Sequence, residues 1–328
     1  MTISIFQIIL AFCIGLIVEA YGIPVIVRNS LAKRLYDVPG ERKVNNTVVP
    51  NLGGIALFAG ISIGTLIGIL RDTFPDWRYI SSGMIILFFI GIKDDILVIS
   101  ARKKLAAQVI CALILILLGD IRISHFQGIL GIYEINYWIS VIFTQLLVVG
   151  TINAMKLIDA IEGQDAAIAI MATIILVSLF YILDNFNYAI LCFATAGSLV
   201  SFYLYNVHGK TNKIFMGDTV SLILGLNIAV SAINYIETAI SGMYTANYSP
   251  ILTLAILSVP LFDMIRLFAL RIIQRKSPFS PDMNHIHHML LKLGLSHRSV
   301  RRIILLTNLA IIGIIYPLRT LNNNLLLA

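Results

Sequence analysis

Ten carboxylates fall where long apolar runs meet one set of loops: Asp37, Glu41, Asp94, Asp95, Asp159, Glu162, Asp165, Asp218, Asp263 and Asp282. Asp94 and Asp95 close one run, Asp159 follows another, Asp218 opens a third, and Asp263 lies in the near half of a fourth. Acids at a membrane boundary are costly and are functional candidates by default. The neighbouring pair Asp94 and Asp95 repel each other unless a cation or proton intervenes. Carboxylates, together with water and substrate phosphates, are the usual ligands of Mg²⁺. One such Asp alone reads as a solvated helix cap; acids from four helix ends at one face read as a metal-dependent site.

The segment Ser280-Pro281-Asp282-Met283-Asn284-His285-Ile286-His287-His288 holds three of the six histidines. Neutral imidazole can bind zinc and imidazolium can bind phosphate. No cysteine lies near, and the i, i+2, i+3 spacing is not a common zinc pattern, so phosphate or nucleotide contact is the preferred reading, with acid–base work open to it. Arg42 and Lys43, followed by Gly53-Gly54, offer cations and close backbone approach to a phosphate; orienting loop charge and a turn explain them equally. Arg102, Lys103 and Lys104 carry the same two readings beside the paired acids. No Walker A, G-x-G-x-x-G, G-x-S-x-G or H-E-x-x-H pattern occurs, which argues against an ATP-driven pump, a dinucleotide enzyme, a serine hydrolase and a zincin. The sum is phosphoryl transfer between a soluble anionic substrate and a lipid phosphate, with metal and cations neutralising clustered phosphate charge.

Helices in a membrane must position these groups. The chain has 328 residues, 58% hydrophobic and 12% charged, with mean hydropathy +0.90. Soluble domains are about 25% charged, so a soluble globular protein, a disordered chain and a disulfide scaffold are excluded. A span needs about 20 apolar residues. Ten candidates appear: 3–27, 51–70, 79–93, 105–118, 137–155, 166–183, 188–206, 219–241, 249–272 and 302–318. The first has no basic n-region or small-residue cleavage site, so it reads as a retained span. Cys13, Cys111 and Cys192 lie inside apolar runs and read as small core residues. Segment 119–136 alternates around Gly128 like a small outer β-hairpin.

The net charge of +7 does not point to nucleic acid. The loops near 28–50, 93–104, 153–165, 207–218 and 273–301, with the flanks of the last taken out to 266–302, hold 20 of the 24 Lys and Arg. That bias makes them cytoplasmic and puts both termini outside. The expectation is an all-α polytopic membrane protein of ten or eleven spans, one transmembrane catalytic domain over 1–328, with its site at the cytoplasmic face. An ion-coupled transporter needs acids near the bilayer midplane, and these gather at one face.

Six motifs occur in order: DVPGERKVN…PNLGG at 37–54, KDD at 93–95, NAMKLIDAIEG at 153–163, FMGD at 215–218, PLFDM at 260–264 and SPFSPDMNHIHH at 277–288. With them the chain resembles the polyprenyl-phosphate N-acetylhexosamine-1-phosphate transferases, the glycosyltransferase family 4 group of WecA- and TagO-type enzymes, related more distantly to the MraY translocase. The H-I-H-H form and the Arg-Lys of the first loop resemble the N-acetylglucosamine branch. The resemblance implies that undecaprenyl phosphate attacks the β-phosphorus of a UDP-HexNAc, releasing UMP and starting a surface polysaccharide. It implies Mg²⁺, with Mn²⁺ as a substitute, the bacterial inner (plasma) membrane with its lipid, and a homodimer as an available state. By position, Asp94, Asp95, Asp159 and His287 would be catalytic. Asp218, Asp95 and Asp159 would hold metal. Arg42, Lys43, Lys104, Asn153, Glu162, Asp263, His285 and His288 would bind substrate.

The chain departs from that pattern at several positions. Asn45 stands where His is usual, and Val98 where a third acid is usual. In the N-x-x-N-x-x-D-G-x-D-G run, Lys156 replaces the second Asn, Ala160 a Gly and Glu162 the second Asp. After FMGD, Thr219-Val220-Ser221 replaces a small residue, Gly and Ser. The alternative these allow is a divergent paralogue with another UDP-sugar or without activity.

Overall fold

A computed structural model describes residues 2–36, 49–69, 74–159, 161–241, 248–275 and 285–327. Arg42 and Lys43 lie outside the described residues, as do Asp37, Glu41, Asn45, Ala160, Asp282 and Asn284. The chain is helical: α1 (Thr2–Ala32), α2 (Gly54–Ile69), α3 (Trp77–Leu97), α4 (Ala101–Leu113), α5 (Tyr137–Ile158), α6 (Gln164–Ile182), α7 (Phe186–His208), α8 (Asp218–Ser241), α9 (Ser249–Ile256), α10 (Ser258–Ile273), α11 (Ile286–Lys292), α12 (His297–Ile315) and α13 (Asn323–Leu327). A π-helical turn, Ile114–Leu118, extends α4. Among the described residues, α1, α5, α6, α7 and α8 are each long and apolar enough to cross a membrane, and α9 with α10 make a sixth if that pair is one span. The chain is therefore a multi-pass helical membrane protein. Phe6, Ile9, Ile17 and Val25 of α1 are exposed, as apolar side chains facing lipid would be.

The hairpin expected over 119–136 is present as β1 (His125–Ile129) and β2 (Ile132–Glu134), paired antiparallel. The α13 side chains hold it: Asn323 donates to the Gln127 carbonyl at 2.8 Å and Asn324 accepts from the Leu130 N–H at 2.7 Å.

Helix α8 is the axis of the molecule. Almost its whole length is buried, and it packs against α2, α3, α5, α6, α7 and α9. Lipid tails are as apolar as leucine, so close backbone approach drives such contacts. Gly91 of α3 lies over Thr219, where a Cβ would sit 2.5 Å from its Cα; Gly225 lies as close to Ile152 of α5. These two approaches bring the ends of α3 and α5 to the first turn of α8.

The span expected at 249–272 is not one straight helix. α9 and α10 meet at a 75° bend. Pro260, in the first turn of α10, has no N–H to give the Ile256 carbonyl, which breaks the ladder. Asn308 of α12, fully buried, serves the break. It donates to the Ile256 carbonyl at 2.9 Å and accepts from the Val259 N–H at 3.1 Å and the Ser258 hydroxyl at 2.9 Å. Asn308→Leu leaves those groups unpaired in an apolar interior. We expect it to lower stability by about 1–2 kcal/mol, read as a lower thermal midpoint of the detergent-solubilised protein; an unchanged midpoint would refute this account of the bend.

Candidate active site

Three chain reversals deliver the acids. Helix α3 carries Lys93-Asp94-Asp95 near its end at Leu97, and Val98 then takes a left-handed conformation (φ 46°) that turns the chain into α4. Asp94 supports that reversal by accepting from the Ile99 N–H at 2.7 Å. The first turn of α4 returns Lys104 to the same place. Its ammonium pairs with Asp94 and, at 2.8 Å, with Oδ2 of Asp218. Lys156, in the last turn of α5, reaches the same Oδ2 at 2.5 Å. One carboxylate oxygen thus takes two ammonium groups.

Asp95 has a different task. Its Oδ1 accepts from the Asp218 N–H at 2.7 Å; its Oδ2 accepts from the Thr219 N–H at 3.2 Å and the Thr219 hydroxyl at 2.6 Å. The first N–H groups of a helix have no partner within it, so Asp95 caps α8 from another helix and fixes Asp218. Gly217 is required for the approach. A Cβ there would lie 2.6–2.7 Å from the Asp95 oxygens and would also collide with the Asn51 carbonyl.

Asp159 and Asp165 flank the turn between α5 and α6. The Asp165 Oδ1 accepts from the Ala166 N–H at 2.7 Å, while its buried Oδ2 meets no donor among the described residues. Its remaining neighbour is the Asp159 carboxyl. Burial, and then Asp165, push Asp159 well above the usual carboxylate range, with Asp218 and Asp95 adding to the push. Two carboxylates in contact require a proton or a cation between them. This pair of facing carboxyls, made of oxygen donors alone, is the feature here that fits a hard divalent ion in place of the shared proton. Among the described residues, no three His, Cys, Asp or Glu side chains converge closely enough to hold a metal by themselves, so substrate or water oxygens would have to complete the shell.

The remaining candidates have protein partners. Asn153 donates to Gln108 and to the Val149 carbonyl, both at 2.8 Å. Glu162 pairs with Lys213 at 2.7 Å, and its carbonyl accepts from Arg301 at 2.7 Å. Asp263, buried in α10, accepts from Arg266 at 2.8 Å and from the Ile286 N–H at 3.1 Å, and lies 3.0 Å from Nδ1 of His285. It therefore holds the start of α11 and sets the His285 ring. The rings of His285 and His287 stack at 5.3 Å, and His287 and His288 lie 4.2 Å apart.

The structure thus brings Asp94, Asp95, Asp218, Lys104 and Lys156 into one contact group, with Asp159 and Asp165 beside it. Asp263, His285, His287 and His288 form a second group, connected to the first through α10 packing on α5. Sequence reading did not single out Gln108, Lys213, Arg266, Arg301 or Thr219 as partners in the site. Gln108 was findable four residues after Lys104, and Arg266 three after Asp263, on shared helix faces. Lys213, Arg301 and Thr219 meet their partners only through tertiary folding.

His287 is 1% exposed, and neither ring nitrogen has a partner among the described residues. Burial, aided by His288 and His285, pushes it down to about 3. An opened segment would titrate near the ordinary value of about 6.5. Between those values the folded state binds fewer protons, so its stability falls as pH falls. The amide protection factors over 285–292, which take out the intrinsic pH dependence of exchange, should fall from pH 7 to pH 4.5, and His287→Phe should blunt that change; equal acid sensitivity in both proteins would remove His287 as its source.

The sequence model for glycosyl transferase family 4 matches residues 77–236. A probable undecaprenyl-phosphate N-acetylglucosaminyl 1-phosphate transferase of Bacillus subtilis (strain 168) is 30% identical over 297 residues, 89% of this chain and 79% of the relative. Two proteins named undecaprenyl-phosphate alpha-N-acetylglucosaminyl 1-phosphate transferase, from Yersinia pestis and Escherichia coli O157:H7, are 29% and 28% identical over 286 residues, 86% of this chain and 76% of each relative. On the match to the Bacillus protein, together with that family model, the chain belongs to glycosyl transferase family 4.

Proposed function

We propose that the chain transfers GlcNAc-1-phosphate from UDP-GlcNAc to undecaprenyl phosphate, releasing UMP and starting a cell-surface polysaccharide. The observation that carries this is Asp218, held by two lysines at the meeting of α3, α4, α5 and α8, in a chain whose relatives bear that activity in their names. An oxygen of the lipid phosphate bonds to the sugar-bearing β-phosphorus. The bond from that phosphorus to the bridging oxygen breaks, and UMP leaves with the oxygen and the electron pair. The barrier is one of charge: two phosphorylated substrates must meet, and fixed cations in a site shielded from water lower it.

In this reading Lys104 and Lys156 exchange part of their pairing with Asp218 for substrate phosphate oxygens. Asp95 is a positioning residue, since it holds the start of α8. Asp94 keeps Lys104 in place and is poised to take the lipid-phosphate proton. Asp218 and Asp159, helped by Asp165, would hold Mg²⁺ or Mn²⁺, which when bound neutralises the diphosphate. His288 would face the donor phosphates, on a segment that Asp263 and His285 hold and with His287 buried behind it, while Asn153 and Glu162 shape the nucleotide side. Arg42 and Lys43 add phosphate contacts on the strength of the family resemblance.

The wider setting belongs to the same proposal. The chain is one catalytic domain of ten spans, with both termini outside and the site on the cytoplasmic face of the bacterial inner membrane, able to pair as a homodimer. Purified protein with undecaprenyl phosphate, Mg²⁺ and a panel of UDP-sugars should release UMP, fastest with UDP-GlcNAc. Absence of UMP with every sugar would overturn the proposal. Lys292→Cys, at an exposed position of α11, should label from the cytoplasmic side only.

A further inference from the structure

A second basic site lies apart from the acids. Between the start of α12 and the end of α7, a cavity of about 460 Å³ is lined by Arg298, Arg301, Arg302, His208 and Tyr203, with Leu305 on its apolar wall. Loop charge that orients a membrane protein explains scattered arginines. It does not require them to line one pocket. Arg301 is fixed: it donates to the Glu162 carbonyl at 2.7 Å and lies 5.5 Å over the Tyr203 ring. Among the described residues, no carboxylate pairs with Arg298 or Arg302, both of which are exposed. Two guanidinium groups therefore face a cavity with their donors available, beside a third held in place.

The apolar surface beside the pocket indicates the form of the anion. Arg298, Arg302, Leu306 and Leu309 follow one another at helical spacing along one face of α12. Leu306 is 62% exposed and Leu309 41%. Cations thus begin a stripe that turns apolar further along the helix. A soluble phosphate would use only the first half of that surface. A lipid uses both, head group at the arginines and acyl chain along the leucines; basic pockets between membrane helices bind anionic head groups in this way.

We propose that this pocket binds the phosphate of an anionic phospholipid, distinct from the lipid phosphate consumed in the reaction. Through Arg301 and the Glu162 carbonyl, the bound lipid is connected to the turn that carries Asp159.

Native mass spectrometry of the detergent-solubilised wild-type protein with equal phosphatidylglycerol and phosphatidylcholine tests this. Phosphatidylglycerol should be retained about tenfold over phosphatidylcholine. The double variant Arg298→Gln/Arg302→Gln should lose that preference, while Lys210→Gln, an exposed cation outside the pocket, should keep it. Millimolar inorganic phosphate should not displace the lipid. Equal retention of the two lipids by the wild type would overturn the proposal, as would an unchanged preference in the double variant. Displacement by inorganic phosphate would make the site one for a soluble anion and overturn the lipid assignment. The wild-type comparison keeps the test decisive even if the double variant fails to fold.

Discussion

Asp218→Asn should remove most turnover, about 10²–10³-fold, in a protein that still inserts and runs as a single species on size exclusion. The expectation rests on a division between backbone and side chain at one residue. The Asp218 N–H is held by Asp95, and so is the Thr219 N–H. Neither bond uses the Asp218 side chain, so the amide leaves the start of α8 capped. What changes is the charge of the Oδ2 that takes both Lys104 and Lys156. Asn has the same shape and no charge; the two ammonium groups then repel each other without their shared anion. The proposed metal also loses its main ligand. UMP release with UDP-GlcNAc and undecaprenyl phosphate is the measurement. Near-normal turnover would refute the central place given to Asp218, whatever else remained of the family assignment.

Asp95→Asn separates positioning from charge at the same spot. An amide accepts with one oxygen where the carboxylate accepts with two, so one of the bonds to Asp218, Thr219 N–H and Thr219 hydroxyl is weakened. The effect should appear in the thermal midpoint as well as in turnover. Asp218→Asn also lowers the midpoint, through its two unshared ammonium groups, so adding Lys156→Gln should recover midpoint there and should not do so for Asp95→Asn; that contrast distinguishes a cap from a charge partner.

How much of this was legible in the sequence differs from one group to the next. A helix lies over every apolar run, because hydropathy in a membrane is a direct physical requirement on each segment. The α9–α10 bend was not foreseen, although Pro260 was visible. A proline in the first turn of a helix is also well tolerated, and what decides here is Asn308, supplied from fifty residues away. The acids were found as a set through their places at span ends. Their division of labour was not, since it depends on which helix end meets which. Asp94 and Asp95 are neighbours in sequence, yet one pairs with an ammonium and the other caps a helix. Lys156 was visible as a departure from the family pattern, but that it shares an oxygen with Lys104 required the packing of α5 on α8.

Lys104→Gln should have the other large effect, on both activity and stability, and a second substitution should separate the two. Lys104 is the group that touches both Asp94 and Asp218. Asp94 is 8% exposed, so removing the ammonium leaves a largely buried carboxylate with the Ile99 N–H but without that cation. Breaking one side of a buried ion pair costs about 3–5 kcal/mol, and partial access to water at the helix ends places this case at the lower figure. Turnover should fall about 10²-fold, because one of two fixed cations facing the phosphates is gone. Adding Asp94→Asn removes the uncompensated charge. The double variant should therefore regain most of the lost thermal midpoint, while its turnover stays below that of Asp94→Asn alone. If it turned over as fast as Asp94→Asn alone, Lys104 would be a strut for the α3–α4 reversal and not a phosphate-facing cation. If the midpoint did not return, the Asp94 pair would not be what Lys104 stabilises. Lys104→Arg is the complementary variant: it keeps the charge but spreads it over a planar group, which does not reproduce a compact ammonium reaching two carboxylates. It should hold stability better than Gln and recover only part of the turnover.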